Sequence, residues 1–186
     1  INVNRAPVLN PVGNFEIDEN STLIVGLSSV EPDGDSVSYF VDESGIELGA
    51  EIVNSSFVWR PDFSAVGNDA KNFVFRITAS DGEFNSSQEI NVAVRNVNRA
   101  PVVLATVPEA NSFAYLGDKA RFEIEAVDPD GDELTYKWKT GFFEEYKGKA
   151  KLLRKFSTLG RKNVKVVVSD GEFSEEFEWN VRVIKR

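Results

Sequence analysis

The chain has no cysteine, no histidine and no methionine. Without Cys or His, thiolate and imidazole metal sites are excluded, as is nucleophilic or general-base chemistry built on those side chains. No disulfide can staple the fold, so its stability must come from packed cores, and cysteine gives no clue to redox compartment. No apolar run approaches the roughly 18 residues that a membrane-spanning helix requires, so direct membrane insertion is not expected. Glycine-rich phosphate loops are missing too, since Gly34 and Gly131 sit in Pro-Asp-Gly turns. Positive charge is scarce. The 186 residues hold 21 Lys and Arg against 30 Asp and Glu, a net charge of −9, which argues against nucleic acid as a partner. A chain that opens on Ile1 and contains no Met is expected to be a segment of a larger protein.

What is present is an internal repeat. Asn2-Val3-Asn4-Arg5-Ala6-Pro7-Val8 returns as Asn96-Val97-Asn98-Arg99-Ala100-Pro101-Val102. Glu31-Pro32-Asp33-Gly34-Asp35 returns as Asp128-Pro129-Asp130-Gly131-Asp132, and Ser80-Asp81-Gly82-Glu83-Phe84 as Ser169-Asp170-Gly171-Glu172-Phe173. Three landmarks in one order at offsets of 94, 97 and 89 mean two copies of one module, expected as residues 1–95 and 96–186. The charge is unevenly divided between them. Residues 1–100 hold 6 basic and 15 acidic residues, whereas residues 101–186 hold 15 of each.

Both copies alternate apolar and polar residues with a period of two between turn signals, which predicts an all-β chain of two tandem immunoglobulin-like (cadherin-like) antiparallel β-sandwiches. The expected core strands carry Leu23/Val25/Leu27, Val37/Tyr39/Val41, Phe57/Trp59, Phe73 to Ala79 and Ile90/Val92/Val94 in the first module. Phe122/Ile124/Ala126, Leu134/Tyr136/Trp138, Val164/Val166/Val168 and Trp179/Val181/Val183 answer in the second. The aromatic residues are expected in the core, with no aromatic cluster on an outward face. No amphipathic helix is expected beyond a turn or two within Lys147 to Phe156.

The segment Phe57-Val58-Trp59-Arg60-Pro61-Asp62-Phe63, with Gly49-Ala50 before it, Gly67 and Phe73 to Gly82 after it, and Asn96 to Pro101 at the end, resembles the cadherin-like and immunoglobulin-like repeats of bacterial and archaeal surface proteins. The second module, through Asp128 to Trp138 and Lys162 to Gly171, is similar to immunoglobulin-like domains of the polycystic-kidney-disease type. It departs from that pattern at Trp138-Lys139-Thr140-Gly141-Phe142. The resemblance implies an extracellular or cell-surface spacer or adhesion module, often calcium-binding.

Asp128, Asp130 and Asp132 place three carboxylates within five residues, a set of hard oxygen donors suited to calcium. The same Pro-Asp-Gly composition also makes an ordinary solvated turn. The spacing is not that of an EF-hand, because Gly131 is fourth and Glu133 sixth. An immunoglobulin-like order brings this loop, the Asp170 loop and the entry segment to one end. A calcium site is therefore expected from Asn96, Asn98, Asp128, Asp130, Asp132 and Asp170, tying the junction between modules. A second is expected from Asn2, Asn4, Glu31, Asp33, Asp35 and Asp81.

Asn20-Ser21-Thr22, Asn54-Ser55-Ser56 and Asn85-Ser86-Ser87 fit the N-glycosylation pattern, which makes Asn20, Asn54 and Asn85 candidate acceptors. Lys137 to Lys165 holds ten basic residues against Glu144 and Glu145. It is expected to be exposed, mostly outside the core strands, and either a solvated face or a docking surface for glycan or protein. The carboxylates cluster in turns, and a 90-residue sandwich seldom forms a deep cleft, so no enzymatic activity is expected. The leading expectation is a spacer whose partners are neighbouring modules of its own chain. The alternative is a glycan- or protein-binding module using the basic face of the second copy.

Overall fold

The computed structural model describes residues 3–67, 69–141 and 145–186; Asn2, from the expected second calcium set, and Glu144 lie outside them. The chain divides into two compact units, Ile1–Val97 and Asn98–Arg186.

In the first unit the strands are β1 (Val8–Leu9), β2 (Phe15–Asp18), β3 (Leu23–Gly26), β4 (Ser29–Val30), β5 (Ser38–Val41), β6 (Glu51–Val53), β7 (Ser56–Trp59), β8 (Lys71–Ser80) and β9 (Asn85–Arg95). One sheet runs β2-β9-β8-β5 and a second β3-β7-β6, with a short β1-β4 pair besides. Alternation decides which faces meet. Phe73, Phe75, Ile77 and Ala79 of β8 and Ile90, Val92 and Val94 of β9 are buried, as are Phe57 and Trp59 from the facing sheet. Trp59 lies 4.9 Å from Phe73 and 4.7 Å from Phe75 between ring centroids, and its Nε1 donates to the carbonyl of Leu48 at 2.9 Å. The polar edge of the indole is thereby satisfied inside the core.

A five-residue helix, α1 (Glu43–Glu47), follows β5; the period-two pattern gives no sign of it. It packs close enough that a Cβ on Gly45 would stand 2.6 Å from Val41 Cγ2, so glycine is required there by proximity.

The second unit contains β10 (Val102–Val107), β11 (Asn111–Tyr115), β12 (Lys119–Val127), β13 (Thr135–Lys139), β14 (Glu145–Gly148), β15 (Lys151–Lys155), β16 (Gly160–Ser169) and β17 (Ser174–Ile184). A five-stranded sheet, β11-β17-β16-β13-β14, faces the three-stranded β10-β12-β15. Trp138 and Trp179 stack with centroids 5.5 Å apart at 17°. Their Nε1 atoms donate to the carbonyls of Lys149 and Pro108 at 2.9 and 2.7 Å.

Four features differ from the sequence expectation. One strand pair in each unit is parallel, β2 with β9 and β11 with β17, because the chain reaches β2 and β11 by crossing the sandwich rather than by a hairpin. Lys147 to Phe156 forms β14 and β15, not a helical turn: the β15 side chains alternate between exposed Lys151, Leu153 and Lys155 and half-buried Leu152 and Arg154. The basic stretch is exposed at most of its positions, yet it lies largely on strands β13 to β16, not outside them. Most of the cations sit there on the outward parity, where a charged strand needs little desolvation, whereas Arg154 and Lys162 share the half-buried parity. Finally, the aromatic residues are not all interior. Phe113 is 64% exposed, and it pairs with Tyr115 on the same strand at 5.7 Å between centroids.

Candidate functional site

The three repeated landmarks form one hydrogen-bonded cluster, built twice. In the second unit, Asn98 and Arg99 enter just before β10, the Asp128–Asp132 loop joins β12 to β13, and Asp170 opens the tight turn between β16 and β17. Arg99 donates its backbone amide to Asp130 Oδ2 at 2.7 Å, while its Nη2 donates to Asp130 Oδ1 at 2.6 Å and to the Pro129 carbonyl at 2.7 Å. Asn98 Nδ2 donates to Asp170 Oδ2 at 3.2 Å and to Glu172 Oε2 at 3.0 Å. Asp128 Oδ1 accepts the backbone amide of Asp130 at 2.8 Å and that of Asp132 at 3.3 Å.

The first unit repeats most of these bonds. Arg5 donates its backbone amide to Asp33 Oδ2 at 2.9 Å, and Nη2 to Asp33 Oδ1 at 2.8 Å and to the Pro32 carbonyl at 3.0 Å. Asn4 Nδ2 donates to Asp81 Oδ2 at 3.3 Å and to Glu83 Oε2 at 3.1 Å, and Asp33 donates its amide to Glu31 Oε1 at 3.0 Å. The Ser-Asp-Gly-Glu-Phe turns match as well. Asp81 Oδ1 accepts the amides of Glu83 and Phe84, and Asp170 Oδ1 those of Glu172 and Phe173. Gly82 and Gly171 have φ of 101° and 110°, which only glycine adopts without strain.

These contacts set the charge state. The Arg5 guanidinium bonded to Asp33 holds that carboxyl below the usual carboxylate range, and Asp33 in turn raises Arg5. The amide of Phe84, then that of Glu83, lowers Asp81. Burial pushes Asp170 upward, but the amides of Glu172 and Phe173 and the Asn98 side chain together bring it below its ordinary value.

The expected calcium ligands divide into two groups. Asp33 and Asp130 are the carboxylate partners of Arg5 and Arg99, with side chains only 2% and 4% exposed, and a guanidinium at 2.6–2.8 Å competes directly with a cation for them. Asp35 is exposed, and Asn96 belongs to the first unit, whereas the loops it was expected to join belong to the second. In contrast, Asn98 Oδ1 and Asp128 Oδ2 are buried oxygens with no hydrogen-bond donor among the described residues. Asn4 Oδ1 and Glu31 Oε2 occupy the matching positions in the first unit and are equally unpartnered. No group of three or more acidic side chains is assembled for a metal among the described residues. Each cluster therefore leaves one amide oxygen and one carboxylate oxygen without a donor. It does not fit the all-carboxylate set that the loop composition suggests.

One further carboxylate is buried. Glu19 is 3% exposed, and it accepts the amides of Val66 at 3.1 Å and Val97 at 3.4 Å, fastening the end of the first unit to the loop before β8. Its signal was faint, a Glu just outside a strand and before a turn. The three sequon asparagines are all exposed. Asn20 is left-handed, Asn54 opens the two-residue turn between β6 and β7, and Asn85 starts β9.

No family model matches the chain. Chitinase A of Pseudoalteromonas piscicida is 26% identical over 138 residues, which is 73% of this chain and 16% of that protein; the chain spans only a small part of this relative. Human protocadherin-24 EC1-2 is similar in structure, with a TM-score of 0.54 and 15% identity, covering 98% of this chain and 100% of that one. An endo-fucoidan hydrolase of glycoside hydrolase family 107 has a TM-score of 0.40 at 18% identity, covering 97% of this chain and 29% of that one. The fold defines the class: the chain is all-β, with immunoglobulin-like and cadherin-like sandwich architecture.

Proposed function

We propose that the chain is a non-catalytic spacer or adhesion segment of a larger extracellular or cell-surface protein, and that each unit takes up calcium where its entry strand is clamped. The observation that carries this reading is the duplication of the cluster, including the same two unpartnered oxygens in both units. Sequence landmarks that persist in two otherwise divergent copies, and that meet in space, mark what the module cannot do without. An orphaned buried carboxylate oxygen is costly unless it meets a positive charge. Calcium supplies that charge and accepts neutral amide and carbonyl oxygens alongside carboxylates. A set this lean in carboxylates suits the weak affinities, about 10⁻⁴ to 10⁻³ M, of extracellular modules.

The small share of the chitinase relative that the chain spans supports an accessory segment rather than a reaction centre. The polycystic-kidney-disease likeness of the second unit is part of the same reading, as is N-glycosylation at the exposed Asn20, Asn54 and Asn85. Calcium at Asn98 and Asp128 would fix the segment that enters the second unit and so stiffen the junction. Small-angle scattering of the full chain tests this. Millimolar calcium is expected to sharpen and lengthen the distance distribution relative to chelator. Identical profiles in both would contradict the stiffening.

A further inference from the structure

The outer face of the five-stranded sheet in the second unit sets several cations against one another. Directly opposed positions across strands carry Arg161 and Arg182, Lys139 and Lys165, and Lys137 and Lys147. Like charges in such positions destabilise a sheet. Lys165 is offset by its ion pair with Glu176 and by Glu178 directly opposite it, and Lys139 stands opposite Glu145 of β14. Arg161 and Arg182 have no carboxylate partner among the described residues.

The first unit provides the control. On its corresponding sheet the opposed pairs are of opposite sign: Arg76 faces Glu89 and bonds it at 3.0 Å, and Arg95 faces Asp18 at 2.8 Å and also reaches Glu16 at 3.3 Å. One fold thus carries a neutralised face in one copy and, at Arg161 and Arg182, an uncompensated cationic patch in the other.

The cationic face is also shaped. Asn111, Asn180 and Asn163 stand side by side on β11, β17 and β16, forming a row of three amides across the sheet. The exposed Phe113 ring lies beside Arg182 at the edge. These residues line a groove of about 490 Å³, which shares Arg161, Lys162 and Asn163 with a second of about 450 Å³ that continues to Lys139 and also takes in Glu178 beside Lys165. Three strand spacings, from β11 to β13, make the trough about 14 Å long.

We propose that this trough binds an anionic polysaccharide, one carrying sulfate or carboxylate groups. The opposed cations receive its charges. Each asparagine offers a donor and an acceptor to ring hydroxyls, and Phe113 offers an apolar face to a sugar ring. Nucleic acid fits less well: a single aromatic ring at one edge cannot stack successive bases. This assignment stands apart from the calcium clusters, so its failure would leave the spacer reading intact.

The test is binding of the full chain to dextran sulfate in low salt, with neutral dextran and oligothymidylate as comparisons. Saturable binding to dextran sulfate is expected, lost by about 0.5 M salt, with none to neutral dextran. Arg161→Ala/Arg182→Ala should weaken it about tenfold or more. Asn163→Ala/Asn180→Ala should weaken it without changing its salt dependence, and Arg76→Ala/Arg95→Ala should leave it unchanged. All of these positions are exposed, and melting curves verify that each variant folds. The proposal is overturned if dextran sulfate does not bind, if the Arg161/Arg182 variant binds like the wild type, if the first-unit variant loses as much, or if oligothymidylate binds equally well.

Discussion

Arg99 grips Asp130 by backbone and side chain at once: its amide bonds Oδ2 at 2.7 Å, and Nε and Nη2 bond Oδ1 at 2.9 and 2.6 Å. The residue that enters the second unit is thereby fixed to the loop that leaves β12, with Asp130 almost wholly sheltered from water. Replacing Asp130 with Ala should cost the second unit about 2–3 kcal/mol, since its charge-assisted bonds to the Arg99 amide and guanidinium are lost. Arg99→Lys should recover little, because a lysine cannot reproduce the fork. Denaturant unfolding checks both, and equal stability of Asp130→Ala and wild type would remove the clamp from the account.

Acid should loosen both units. Asp33, Asp81 and Asp170 are all held below their ordinary values in the folded state. A carboxyl lowered by folding adds stability above its unfolded value, near 3.9, and loses it as pH falls through the folded value. Melting temperatures should therefore be level from about pH 5 to 7 and fall below about pH 4. Substituting Asp81 and Asp170 together with Asn should flatten that fall, as measured by melting across pH.

Glu19 should behave as a structural carboxylate. Glu19→Ala removes the acceptor for two backbone amides in a buried setting, at a cost of about 2 kcal/mol to the first unit. Amide exchange should quicken at Val66 and Val97 before it does in β8. Protection unchanged at both residues would mean that they are held by something else.

Much of the fold was legible because the core strands are long and strictly alternating: Phe73 to Ala79, Val164 to Val168 and Trp179 to Val183 announce their buried faces residue by residue. The edges were not legible. β11 and β14 each rest against a single neighbouring strand, so their composition is less constrained, and Phe113 points outward where an aromatic residue suggested core. The convergence of the three repeated landmarks was readable from topology, but the division of labour within them was not. Spacing brings Asp128, Asp130 and Asp132 together; it does not say that Arg99 takes Asp130. That follows from the Arg side chain lying alongside the loop, a long-range pairing that no local pattern encodes.

The most direct measurement is thermal melting of the full chain, wild type and Asp128→Asn, in millimolar calcium and in chelator. Asparagine keeps an oxygen for the amides of Asp130 and Asp132 while removing the charge behind the unpartnered Oδ2. In calcium at about ten times the dissociation constant, the wild-type second unit should gain about 1.4 kcal/mol, some 5–10 °C for a module of this size. Asp128→Asn should not respond to calcium, and in chelator it should melt at or above the wild type, because an orphaned buried charge has been removed. A wild type whose melting ignores calcium, or an Asp128→Asn variant that responds as fully as the wild type, would contradict the account.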